Sequence, residues 1–147
     1  MKKIYLACIY SLGADDKRGY SKDEILEYRY QRINKLAAEL MEKNTDHIIF
    51  SPITHNHPLS KLMKPEMRVH KYWLAQDKSF LEWCDELWIV RFMEDTDDIE
   101  KSKGVRWERR ITKRLNKEIV NIKVYPYKEF KWNELPSKTF QYGFELE

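Results

Sequence analysis

Apolar positions along this chain fall into two alternating periods. Ile4 to Ile9 is a short apolar run, part β-branched and part aromatic, closed by the loop Ser11-Leu-Gly-Ala-Asp-Asp; it reads as a buried strand. Ser21-Lys-Asp-Glu24 has the spacing of a capping box. From it runs an amphipathic helix with Leu26, Tyr30, Ile33, Ala37 and Leu40 at intervals of four and three, fading at Asn44. His47 to Ser51 reads as a second strand stopped by Pro52. A loop is expected from Ile53 to Pro65, carrying His55 and His57 and rich in proline. A second helix is expected from about Met67 to Trp83, and a third strand over Glu86–Phe92. An acidic loop over Glu94–Glu100 leads to a helix from near Val105 to near Lys117, and Ile119–Tyr125 reads as a fourth strand.

Strands alternating with helices predict an α/β fold, a flavodoxin-like or Rossmann-like three-layer sandwich around a four- or five-stranded, mainly parallel sheet. Residues 126–147 hold Tyr127, Phe130, Trp132, Phe140, Tyr142 and Phe144 and read as an aromatic strap packed onto a surface. The whole chain, 1–147, reads as one domain with its core over about 3–125.

Composition narrows the function. The 147 residues are 42% hydrophobic and 35% charged, a globular balance. No run approaches the roughly 18 apolar residues of a membrane span. Met1-Lys-Lys-Ile-Tyr5 passes straight into the first strand, so no signal peptide is expected. Cys8 and Cys84 make a poor disulfide framework, and the expected location is a reducing cytoplasm. A net charge of +3, from 27 basic and 24 acidic side chains, is too mild to argue for nucleic acid. The four glycines occur in neither the G-x-G-x-x-G nor the P-loop spacing.

Two carboxylates fall on apolar helix faces. Asp77 shares a face with Trp73, Phe80, Leu81 and Cys84, and Glu108 aligns with Ile111, Thr112 and Leu115. A carboxylate facing a core costs several kcal/mol unless it is paired or takes up a proton. Glu108 also follows the third strand, in the first turn of its helix, which puts it near the carboxyl ends of the strands, where ligands bind in open parallel sheets. Each residue alone has a plain explanation: Glu108 as a complement to the helix dipole, Asp77 as the partner of a nearby cation. Together they form a candidate nucleophile and acid. Just upstream, Lys101-Ser102-Lys103-Gly104-Val105 sets a hydroxyl, two cations and a glycine at a helix N-terminus, which reads as an anion site or an ordinary N-cap. Asp97, Asp98 and Glu100 would oppose an anion if they folded inward.

Tyr5-Leu-Ala7, Gln76-Asp77 followed by Cys84-Asp-Glu-Leu87, and Ser102-x-Gly104-Val105-x-x-Glu108 resemble, in order and spacing over roughly residues 3–117, the nucleoside 2-deoxyribosyltransferase superfamily. Phe50-Ser-Pro-Ile-Thr-His-Asn-His-Pro58 is similar to an uncharacterised bacterial and phage branch of it. The resemblance implies cleavage of the N-glycosidic bond of a 2′-deoxynucleoside or its 5′-monophosphate. It implies that Glu108 attacks C1′, that Asp77 lies by the base and helps protonate it, and that Tyr5 positions the glutamate. The transferases of the superfamily tend to carry aspartate six residues before the glutamate. The similar deoxynucleotide N-hydrolases carry serine there, close to the 5′-phosphate. Ser102 therefore favours a monophosphate, since a hydroxyl at a helix N-terminus can donate to a phosphate that an aspartate would repel.

Ser102 and Gly104 are expected at the phosphate end, with Cys8, Ser11 and His55 completing the substrate wall. Cys8 stands where the superfamily usually has glycine, and the loop Met93–Lys101 is longer and more acidic than usual. The resemblance implies a homodimer or larger homo-oligomer and requires neither cofactor nor metal. Alternative readings are transfer of deoxyribose between bases, a non-catalytic nucleotide-binding module, and contact with nucleic acid through the basic helix of Arg106, Arg109, Arg110, Lys113, Arg114 and Lys117. His55-x-His57, with His70 further on, has the residue types of a metal site but no third ligand at a defined spacing. Arg18 and Arg29 are further phosphate candidates, and Trp73 or Trp107 is a candidate for stacking on a base.

Overall fold

The computed structural model describes residues 1–17, 19–68, 70–126 and 142–146. Four strands, β1 (Lys2–Ala7), β2 (His47–Phe50), β3 (Glu86–Phe92) and β4 (Glu118–Pro126), pair in parallel, and β5 (Tyr142–Leu146) adds an antiparallel edge. The order is β2-β1-β3-β4-β5, so the sheet reverses its winding between β1 and β3. In doubly wound sheets that reversal opens a crevice beyond the carboxyl ends of the strands. The expected three-layer α/β sandwich and mainly parallel sheet are what the structure shows. Of the proposed aromatic strap, 142–146 is the fifth strand; residues 127–141 and 147 lie outside the described residues.

Alternation along the strands sorts the core into two layers. From β1, Ile4 and Leu6 join Val90, Phe92, Ile122 and Val124 and pack beneath helix α1 (Lys22–Lys43) through Ile33, Leu36 and Leu40. Tyr5 and Ala7 point the other way, with Leu87 and Ile89. They meet α3 (His70–Trp83) through Leu81, and α4 (Lys103–Arg114) through Val105 and Ile111. Lys117 caps the end of α3, its Nζ donating to the carbonyls of Leu81, Glu82 and Cys84. Among the described residues no helix is long and apolar enough to cross a membrane.

Helix α1 begins with the expected capping box, Ser21 and Glu24 bonding reciprocally. Its buried stripe differs from the expected one: Ile25 rather than Leu26 faces inward, and Tyr28, Arg29 and Arg32 are buried as well. The expected loop Ile53–Pro65 is a helix, α2 (Pro52–Leu62), with Pro58 inside it. Pro52 sits at its first position, where a missing N–H costs nothing, and Ser51 caps it by accepting from the Thr54 amide. A 3-10 turn over Pro65–Met67 then separates α2 from α3.

The buried arginines answer the acidic loop after β3. Arg32 Nη2 lies 2.6 Å from Asp95 Oδ2, and Arg32 Nη1 bonds both Asp95 Oδ1 and Glu94 Oε1. The guanidinium lies over the Phe92 ring at 4.1 Å, and Tyr28 donates to Glu94. Arg29 donates to the carbonyls of Tyr10 and Leu12 and pairs with Asp97, which Lys17 also holds at 2.6 Å. Gly13, at φ 69°, lies against this Asp97; a Cβ there would stand 2.2 Å from its Oδ1. Arg29 is therefore a tie between loops and not a phosphate ligand, while Arg18 lies outside the described residues.

Removing one partner of such a buried network leaves uncompensated charge. Arg32→Met is expected to cost about 3–5 kcal/mol in urea unfolding. Adding Glu94→Gln and Asp95→Asn should recover much of that loss; a triple variant no more stable than the single one would contradict the assignment.

Candidate active site

Ser102 ends the 3-10 turn Ile99–Lys101 and caps α4, its Oγ accepting from the Val105 amide at 3.3 Å. With the oxygen committed as acceptor, the Ser102 O–H is available as a donor. The helix starts at Lys103, earlier than expected, so Glu108 falls in the second turn, beyond the reach of the helix dipole's first-turn effect. The dipole therefore does not account for a carboxylate here.

Glu108 and Asp77 line one cavity of about 590 Å³ beyond the carboxyl ends of β1, β2 and β3. Glu108 is buried, at 7% exposure, and Asp77 is half-buried on the facing helix. Burial, reinforced by the charge of Asp77, pushes the Glu108 carboxyl up to about 8, with the Tyr5 hydroxyl acting in the opposite direction. Tyr5 is fully buried. Its hydroxyl interacts with Glu108 but completes no hydrogen bond of ordinary geometry among the described residues. Its own pKa is raised well above the usual value, by burial first and by Glu108 next.

Asp77 accepts from Asn56 Nδ2 at 3.0 Å, a contact that exists only because residues 52–62 are helical. At the other end of the same cavity stand Lys101, Ser102, Lys103 and Gly104. A Cβ on Gly104 would meet nothing within 4 Å, so the protein itself leaves that space open. None of Asp97, Asp98 and Glu100 lines the cavity. Asp97 is held by Lys17 and Arg29, Asp98 caps the Glu100 amide, and Glu100 pairs with Arg109.

The cavity also gathers Cys8, Ser11, Trp73 and Trp107. Cys8 is buried, and burial lifts its thiol to about 12, so it lines the wall as a thiol. His55 is not among the lining residues; it packs against the stacked rings of Phe50 and Phe80 and bonds Asn56 through Nδ1. His57 lines the cavity instead. Two residues apart on a helix, the two histidines diverge, which removes the strand-like ligand pair their spacing implied. The side chain of His70 lies outside the described residues. Sequence reasoning missed Tyr10 and Asn56 and named His57 only as the partner of His55; the signal available for the helix was Ser51-Pro52, a helix start rather than a stop.

The raised Glu108 pKa has a consequence for stability. Below about pH 4.5 the carboxyl is protonated folded or unfolded and costs nothing. As the pH rises towards 8 the unfolded chain ionises freely while the folded site resists, so the folded state loses ground. Glu108→Gln removes that cost. Its thermal stability should match the parent near pH 4.5 and exceed it by a margin that grows to pH 8, on the order of a few kcal/mol. A margin constant with pH would contradict a buried, proton-holding Glu108.

A search of curated proteins finds no match. Among solved structures the chain is similar to the 2-deoxyribosyltransferase of the psychrotolerant bacterium Bacillus psychrosaccharolyticus, at 17% sequence identity, over 89% of this chain and 88% of that one, with a TM-score of 0.44. The family model that matches is described as a domain of unknown function, DUF1937, and it spans residues 2–124. With most of its length so matched, this chain belongs to the DUF1937 family.

Proposed function

We propose that this protein cleaves the N-glycosidic bond of a 2′-deoxynucleoside 5′-monophosphate through a covalent intermediate on Glu108. The observation that carries the reading is the pair of carboxyls, Glu108 and Asp77, facing one cavity whose other end offers lysines and a helix N-terminus. The resemblance of the motifs around Tyr5, Asp77 and Glu108 supports the same assignment.

The chemistry follows from the proton count. Two carboxyls that raise each other's cost of ionisation hold one proton between them near neutrality. In the reactive arrangement Asp77 carries it and Glu108 is anionic. As the C1′–N bond lengthens, Asp77 passes the proton to the departing base and a Glu108 oxygen closes on the oxocarbenium-like C1′. Tyr5 orients that oxygen. Water then attacks C1′, releases Glu108 and returns a proton to the pair. The 5′-phosphate lies against the Ser102 hydroxyl and the α4 amides beside Gly104, with Lys101 and Lys103 supplying charge. The aromatic faces of Trp73 and Trp107 flank the base.

Pure protein incubated with a panel of deoxynucleosides and their monophosphates should release free base, seen by chromatography, with monophosphates preferred. Glu108→Ala should lower the rate by roughly a thousandfold or more. Release only in the presence of an acceptor base would assign transfer instead of hydrolysis; none from any substrate would contradict the reading.

The pH profile is a separate check. The reaction needs the pair to hold one proton, so kcat/KM should fall with pH through a limb near 8 as that proton is lost. Asp77→Asn removes the acid and one cause of the raised Glu108 value, so the residual rate should instead rise with pH through a limb below 8. A falling limb near 8 that persists in Asp77→Asn would dissociate the two carboxyls.

A further inference from the structure

Glu27 of α1, His57 of α2 and Tyr10 beyond β1 join in one line at the cavity wall. His57 Nε2 lies 2.7 Å from Glu27 Oε2, and His57 Nδ1 lies 2.5 Å from the Tyr10 hydroxyl. His57 is buried, its ring stacked on Tyr30 with centroids 4.4 Å apart. Tyr10 and His57 both line the cavity, yet the proposed reaction uses neither.

The direction of the protons follows from the far end of the line. Glu27 accepts from Lys61 and from Gln31, each at 2.9 Å, and these bonds together with His57 hold its carboxyl down to about 2. A carboxylate accepts only, so His57 Nε2 carries a hydrogen. In the neutral ring the other nitrogen is then an acceptor, and the Tyr10 proton is directed to Nδ1. The Tyr10 oxygen therefore turns lone pairs towards the cavity. A free phenol offers either a donor or an acceptor; this one presents an acceptor.

We propose that Tyr10, fixed by His57 and Glu27, is the acceptor subsite for the 3′-hydroxyl of the ligand's sugar. This rests on the nucleotide reading above and deepens it. A 2′-deoxynucleoside 5′-monophosphate has one free sugar hydroxyl, at 3′, and that hydroxyl is a donor. The cavity is thus divided by chemistry, with cations and donors at Lys101–Gly104 for the anionic end and a pinned acceptor at Tyr10 for the sugar. Tyr10 touches the ligand; His57 and Glu27 are positioning residues.

The test measures binding in a Glu108→Gln background, where turnover does not interfere, by calorimetric titration with a 2′-deoxynucleoside 5′-monophosphate and its 2′,3′-dideoxy counterpart. The background protein should prefer the deoxy ligand by about tenfold, the worth of one hydrogen bond. Added Tyr10→Phe should abolish the preference, leaving both ligands at the affinity of the dideoxy compound. Added Glu27→Ala, outside the cavity, should reduce the preference severalfold by releasing the His57 tautomer. A purely structural line would weaken both ligands together and leave their ratio intact.

A preference unchanged by Tyr10→Phe, or no preference in the background, or no binding of either ligand, would each overturn the subsite. ¹⁵N spectra of His57 in the unaltered protein give a check that needs no variant: Nε2 should be protonated and Nδ1 bare, and the reverse would overturn it. Base release keeps the two readings apart. Turnover without a Tyr10-dependent preference overturns the subsite alone, and the preference without turnover overturns the reaction alone.

Discussion

The cavity depends on two arginines that face inward from one helix. Arg32 closes on Glu94 and Asp95, and Arg29 closes on the carbonyls of Tyr10 and Leu12 and on Asp97. Between them they fasten the loop after β1 and the loop after β3 to the same face of α1. Those loops form two sides of the crevice at the point where the sheet reverses its winding. Buried ion pairs of this kind add little net stability, because desolvation consumes most of the attraction. What they fix is geometry: both loops are held against α1, and the second leads on to the Ser102 cap and the α4 N-terminus that lines the cavity.

Glu108 is the opposite case. The arginines bring acids into the interior already paired, whereas Glu108 is brought in with a tyrosine hydroxyl beside it and a second carboxyl nearby. The fold bears that cost in one place, where the chain also gathers its cations and a helix N-terminus. In the proposed reaction, a carboxyl that resists ionisation becomes easier to ionise as positive charge develops at the sugar carbon. The same burial that makes it expensive in the resting protein makes it responsive to the transition state.

Local rules make much of this legible in the sequence alone. The capping box at Ser21, the strand Glu86–Phe92 and the α/β alternation follow from short-range patterning, and the structure agrees with each. Glu108 and Asp77 stood out because charge on an apolar helix face needs a reason. The failures have two sources: a local helix start read as a stop, and partners distant in sequence. Pro52 and Pro58 argue for a loop locally, but a cap at Ser51 and packing against α1 keep residues 52–62 helical. Arg29 is a phosphate candidate by its place near the first loop and first helix, but its acidic partner, Asp97, lies 68 residues on. His55 and His57 looked alike until the helix turned them to different neighbours.

The account turns on whether Glu108 forms a bond to the sugar. Rapidly quenched reaction with a deoxynucleoside monophosphate, followed by digestion and mass spectrometry of the peptides, would test this most directly. The account predicts a peptide containing Glu108 carrying one deoxyribose phosphate, absent when Glu108 is replaced. Base release with no adduct at any quench time, or an adduct on another residue, would contradict it.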